Sequence, residues 1–215
     1  MANAAKQNAT DRLFDKWTRH ARNNNCYAFA FDALRVDSPE KLQPGELAGL
    51  PDIPDSDKYQ CGDLARRILR DYPDVRVIGR HRDAATAFGA GHRVALFVDN
   101  HGEARDYHFY REMPDGTWWH KPGSLPVSKV DDSGKAITDP LDADRDYTRN
   151  GDEASDFNYA TFCTMFWVPD GVAPVTPLDE LEDDPDGGPS GLLVFLVLLL
   201  LVLMAVGVIA VVFRG

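Results

Sequence analysis

The chain has 215 residues and a formal net charge of −11, from 34 acidic and 23 basic side chains. A surface that acidic, with no basic stripe to offset it, repels phosphate backbones and argues against nucleic-acid binding. Three cysteines (Cys26, Cys61 and Cys163) are too few and too odd in number to read as a disulfide framework, and the polar N-terminus reads as having neither a signal segment nor a myristoylation glycine.

In chain order, Thr10 to Arg22 places Leu13, Phe14, Trp17 and Ala21 at helical spacing and predicts an amphipathic helix. Asn23, Asn24 and Asn25 then break it and offer an N-cap to a second, largely buried helix from Cys26 to Leu34. Asp37 to Tyr59, with Pro39, Pro44-Gly45, Pro51 and Pro54, predicts a loop; Gln60 to Asp71 predicts a third helix with Leu64, Ile68 and Leu69 inward. Five β-prone runs follow: Val75 to Ile78, His92 to Val98, Asp106 to Glu112, Thr117 to Lys121 and Thr161 to Val168. Helices first and an antiparallel sheet second predict an α+β domain over residues 1–170.

Residues 171–190 are rich in Pro, Gly and acids, a composition that builds no core and reads as an extended tether. Leu192 to Phe213 is an unbroken run of 22 apolar or small residues, about 33 Å long as a helix, and predicts one transmembrane helix over 191–213 with the lipid bilayer as its partner. Without a signal segment the domain is expected on the cytoplasmic side, although Arg214 beyond the run pulls weakly the other way.

Cys26 would open a helix just after an Asn cap, where the helix dipole and free N–H groups stabilise a thiolate and an oxyanion. A buried, inert core cysteine is the competing expectation. Met113-Pro114-Asp115-Gly116-Thr117 suits a three-residue hairpin loop with glycine in the left-handed position. That loop pairs Met113 with Thr117, sets Tyr110 opposite His120, and makes His108 and His120 diagonal neighbours on one face. A two-residue loop would put them on opposite faces. A helix-start cysteine, a strand histidine and a polar group on the next strand follow the logic of a Cys–His–X triad, with the third group orienting the imidazole. The bland alternative for His108 is a hydrogen-bonded sheet histidine.

This order of parts, over residues 23–121, resembles the papain-like cysteine hydrolases, and among them the compact NlpC-type peptidases. The resemblance implies Cys26 as nucleophile, His108 as base and His120 as the orienting residue. Tyr27-Ala28 stands where such enzymes carry small residues, and no glutamine stands for the oxyanion hole; the Asn23-Asn24-Asn25 run is the candidate there. Asn25-Cys26 also resembles the nucleophile motif of the lecithin retinol acyltransferase-like enzymes, although in those the histidine precedes the cysteine. The block Asp106-Tyr107-His108-Phe109-Tyr110-Arg111 with Trp118-Trp119-His120-Lys121-Pro122-Gly123 looks like blocks in uncharacterised bacterial and phage proteins.

Cys61, which also opens a helix, is a rival nucleophile or a core neighbour of Cys26. His92, His101, His108 and His120 lack the tight spacing of a zinc site, and no phosphate-binding glycine loop is present, so no metal or cofactor is expected. Two functions follow. One is a membrane-anchored cysteine hydrolase acting on an amide or ester. The other is a non-catalytic membrane-anchored binding or structural module, of a phage or virion for example, with the aromatic hairpin as core or binding face.

Overall fold

The computed structural model describes residues 2–53, 60–80, 88–100, 105–150 and 157–175. The predicted transmembrane helix and all of the tether beyond residue 175 lie outside the described residues. Among those described, no helix is long and apolar enough to cross a membrane. The described residues hold three α-helices: α1 (Ala2–Arg19), α2 (Cys26–Ala30) and α3 (Cys61–Asp71). Five strands follow: β1 (Arg76–Val77), β2 (Gly91–Asp99), β3 (Asp106–Glu112), β4 (Trp118–His120) and β5 (Thr161–Pro169). They form one antiparallel sheet in the order β1-β5-β2-β3-β4. The domain is therefore α+β, as its residue patterns predict.

Both faces of the sheet are covered, which is why β2 reads as a continuous apolar run rather than an alternating one. On one face Val94, Leu96, Val98, Phe109, Phe166 and Val168 pack with the helices around Trp17, Tyr27, Phe29 and Ile68. On the other, Ala95, Phe97, Tyr110, Trp118, Met165 and Trp167 pack under Ile78, Ile137 and Tyr159 from the connecting segments. The aromatic hairpin residues Tyr107, Phe109, Tyr110, Trp118 and Trp119 are all buried, so they are core and not a binding face.

Two helices differ in extent from expectation. α1 starts eight residues earlier, and a 3-10 turn (Ala21–Asn23) follows it. Trp17 is fully buried edge-on to Phe29, whereas Phe14, expected inward, is 39% exposed. α2 stops at Ala30 instead of continuing to Leu34. The cause is Asp32, left-handed at φ 56°: Ala33 N–H donates to Ala28 O and Asp32 N–H to Phe29 O, the paired bonds of a Schellman stop. At the C-terminal end, Val175 N–H donates to Asp71 O and Val172 packs on the core, so the folded unit extends past residue 170.

Candidate active site

Asn25 sets the start of α2. Its side-chain oxygen accepts from Ala28 N–H at 3.0 Å and its amide donates to Leu42 O at 2.7 Å, fixing Cys26 as the first helical residue. Cys26 is 5% exposed, and its thiol donates to Tyr107 O at 3.8 Å. β4 ends at His120, so among the described residues no strand lies beside the edge of β3 at Tyr107 to Phe109 on that side. The thiol occupies that edge, between Tyr107 O and the Phe109 N–H group. It is thus flanked by the backbone of the residues on either side of His108.

The sequence argument predicts a thiol acidified by its place at a helix start. The structure corrects this: burial, and then the Asp106 carboxylate, push Cys26 up to about 12, while Phe109 N–H and Lys121 pull the other way. A five-residue helix has a small dipole, and desolvation of a thiolate outweighs it.

The hairpin forms as its turn sequence predicts. Met113 N–H donates to Thr117 O and Gly116 N–H to Met113 O, with Gly116 at φ +86°, a conformation glycine adopts without a Cβ clash. Tyr110 pairs with His120 and Glu112 with Trp118. His108 and His120 consequently meet on one face, His108 Nε2 lying 2.8 Å from His120 Nδ1. His120 Nε2 lies 3.0 Å from Val130 O. Tyr159 stacks on His108 and Tyr110 on His120.

These partners assign the protons. A carbonyl only accepts, so His120 Nε2 carries a hydrogen and donates to Val130 O. Burial lowers His120 to about 4 and His108 well below the usual imidazole range, the latter aided by His120 and Lys121, so both rings are neutral near pH 7. Neutral His120 then accepts at Nδ1, His108 donates from Nε2, and His108 Nδ1 is left with a lone pair. Among the described residues no hydrogen bond reaches that nitrogen.

Of the three residues the sequence singles out, the structure joins His108 to His120 and brings Cys26 to the His108 backbone. The thiol bonds the Tyr107 carbonyl and no imidazole. The His108 side chain also projects to the sheet face opposite Phe109, against which the α2 aromatics pack. The asparagine run is committed elsewhere. Asn23 donates to Val36 O, Asn24 spans His20 and Arg35, and Asn25 caps α2, so their side chains build the loop and offer no oxyanion donor. Residues that pattern reasoning did not single out are Val130, whose carbonyl sets the tautomers, Tyr159, whose hydroxyl donates to Asp106 at 2.6 Å, and Lys121. No local signal marks Val130 or Tyr159.

Cys61 is not a nucleophile and does not face Cys26, because it forms a disulfide with Cys163 on β5. Cys26 is the free cysteine. His92 lies 2.9 Å from Ala30 O at the end of α2, lowered to about 3 by burial and by Arg111, on the face opposite the His108–His120 pair. His101 lies outside the described residues, and among those described no cluster suits a metal ion.

Fold and site define an α+β domain with a helix-start cysteine set against a strand whose histidine is paired to a second histidine across a hairpin. No family model matches the chain, and no solved structure matches it. Insoluble matrix shell protein 1 of Ruditapes philippinarum is 33% identical over 127 residues, spanning 58% of this chain and 72% of that protein. The chain belongs to the same family as that shell matrix protein.

Proposed function

We propose that this protein is a papain-like cysteine hydrolase of the NlpC-type arrangement, tethered to a membrane by its C-terminal apolar run and acting on an amide or ester. The observation that carries this is the directed hydrogen-bond series from His108 through His120 to Val130 O, which leaves His108 Nδ1 as an open acceptor, together with a Cys26 thiol set against the backbone carbonyl of the residue before His108. In the reaction, the Cys26 proton passes to His108 Nδ1 as sulfur bonds the substrate carbonyl carbon. The imidazolium then protonates the leaving nitrogen or oxygen as its bond to carbon breaks. Water then gives a proton to His108 Nδ1 as its oxygen bonds the acyl carbon; the C–S bond breaks, and the leaving Cys26 sulfur takes that proton back from the imidazolium. At rest both groups are neutral, the thiol raised and the imidazoles lowered, and they do not form a thiolate–imidazolium pair.

The Cys61–Cys163 disulfide supports an oxidising compartment for this domain, in place of the cytoplasmic side expected from the N-terminus. Arg214 beyond the apolar run agrees, since it favours a cytoplasmic C-terminus.

The test is acylation of the detergent-solubilised full chain by p-nitrophenyl acetate, read as nitrophenolate release and as an acetyl adduct located by mass spectrometry. An adduct on Cys26 that is lost in Cys26→Ser and slowed at least tenfold in His108→Ala is expected. No adduct, or one indifferent to His108, overturns the hydrolase.

A non-catalytic, membrane-anchored structural module is favoured by one observation, the 5% exposure of Cys26. A relative named for an insoluble shell matrix accords with it. Absence of the adduct in the same experiment, with a folded domain, is the outcome that role predicts.

A further inference from the structure

Lys121 is fully buried, yet among the described residues no carboxylate bonds it. Its ammonium donates to three backbone carbonyls: Asn24 O at 2.5 Å, Gly123 O at 2.6 Å and Leu125 O at 3.1 Å. Burying a cation against carbonyls alone carries a large desolvation cost, so a neutral side chain would serve better if filling space were the only need. Two features distinguish the site. Asn24 stands two residues before Cys26 and 97 residues before Lys121, so the first bond ties the helix start directly to the end of β4. Lys121 also immediately follows His120, whose ring holds His108. Adjacent residues of one segment thus grip the two halves of the proposed reacting pair, the imidazole on one side and the nucleophile's helix start on the other.

From this geometry we infer that Lys121 is a positioning residue for Cys26, holding Asn24, Asn25 and Cys26 against the uncovered edge of β3 and setting a positive charge near the sulfur as it becomes anionic. The inference rests on the hydrolase proposal for its chemical consequence. Electrostatics agree with it: Lys121 and Cys26 each favour the other's charged form, although burial, with help from Lys41, lowers Lys121 to about 8.

The experiment compares the full chain with Lys121→Met, which fills the space without donating, and Lys121→Arg, which keeps charge and donors. Two readouts are taken: amide hydrogen exchange, and the rate of Cys26 acylation by p-nitrophenyl acetate. For Lys121→Met we expect faster exchange confined to peptides covering residues 24–30, unchanged protection in β2 and β5, and acylation slowed at least tenfold. Lys121→Arg is expected to recover acylation to within threefold of the parent. Parental exchange or parental acylation in Lys121→Met overturns the inference. So does an Arg variant as slow as the Met variant, or loss of protection in β2 and β5 of Lys121→Met, which would make the lysine a folding residue only. His108→Ala separates the two claims. If it acylates like the parent, the hydrolase fails and with it the catalytic part of the inference, while a Lys121→Met defect alongside a slow His108→Ala supports both.

Discussion

His108 and His120 share a 2.8 Å hydrogen bond across adjacent strands because Gly116 takes a left-handed conformation in the turn between them. A turn one residue shorter would move His120 to the other face of the sheet and leave two imidazoles buried without each other. Fold and candidate chemistry therefore meet in the turn sequence Met113-Pro114-Asp115-Gly116-Thr117.

Acid should unfold this domain through its histidines. The ordinary imidazole value is 6.5; His120 is lowered to about 4, His92 to about 3, and His108 is lowered too, all by burial. Between those values and 6.5 the unfolded chain binds protons that the folded chain refuses, so stability is full above pH 6.5 and falls as pH drops toward 4. For His120 alone, the gap from 6.5 to about 4 amounts to about 3 kcal/mol. The Asp71 and Asp106 carboxyls, raised by burial, oppose the trend. Urea midpoints at pH 7.5 and 4.5 check this, and equal midpoints would refute it.

Reducing the disulfide should destabilise the fold without dismantling the histidine pair. Cys61 and Cys163 lie 102 residues apart, and closing a loop of that length restricts the unfolded chain by about 4 to 5 kcal/mol. Thermal unfolding with and without reductant, and of a Cys61→Ser/Cys163→Ser chain, measures it. A Cys61→Ser/Cys163→Ser chain as stable as the parent would refute it.

Gly91→Ala should damage the sheet locally. A Cβ at this position would stand 2.4 Å from Val168 O and 2.9 Å from the Trp167 ring, and the first of these is backbone that cannot swing aside. The expected cost is about 1 to 3 kcal/mol, from separating β2 and β5 where Gly91 pairs with Pro169. Chemical denaturation gives the value, and hydrogen exchange should report the loss in β5.

Asn25→Ala should cost about 1 to 2 kcal/mol, because it removes the cap from Ala28 N–H and strands Leu42 O in the interior. Unlike a surface change, it should also alter the environment of Cys26, read as a changed rate of thiol alkylation. An alkylation rate identical to the parent would show that the cap does not position the cysteine.

Much of this was legible in the chain. The α+β order, strands at Asp106–Glu112 and Thr161 onward, the Asn25 cap and the hairpin register are all set by short-range patterns: alternation, a capping side chain and a turn sequence. What local pattern did not carry is long-range. The Cys61–Cys163 bond joins α3 to β5, Val130 reaches His120 from a separate loop, and Lys121 reaches back to Asn24. The charge state of Cys26 is not legible in sequence for a related reason. A helix start is visible in sequence, whereas depth of burial depends on Tyr107 and Phe109 arriving from 81 or more residues away.

The disulfide has a mechanical consequence. Among the described residues β5 is the last strand, and the sequence continues from it through Val175 into an acidic segment and an apolar run. Tension applied from that end would load β5 first, and hydrogen bonds to β1 and β2 would resist it only in shear or peeling. Cys163 lies near the start of β5, so once the residues after it have peeled away the covalent bond transfers the load to Cys61 at the head of α3 and the extension stops there. A domain pulled from its C-terminal side would stretch up to that bond and hold there.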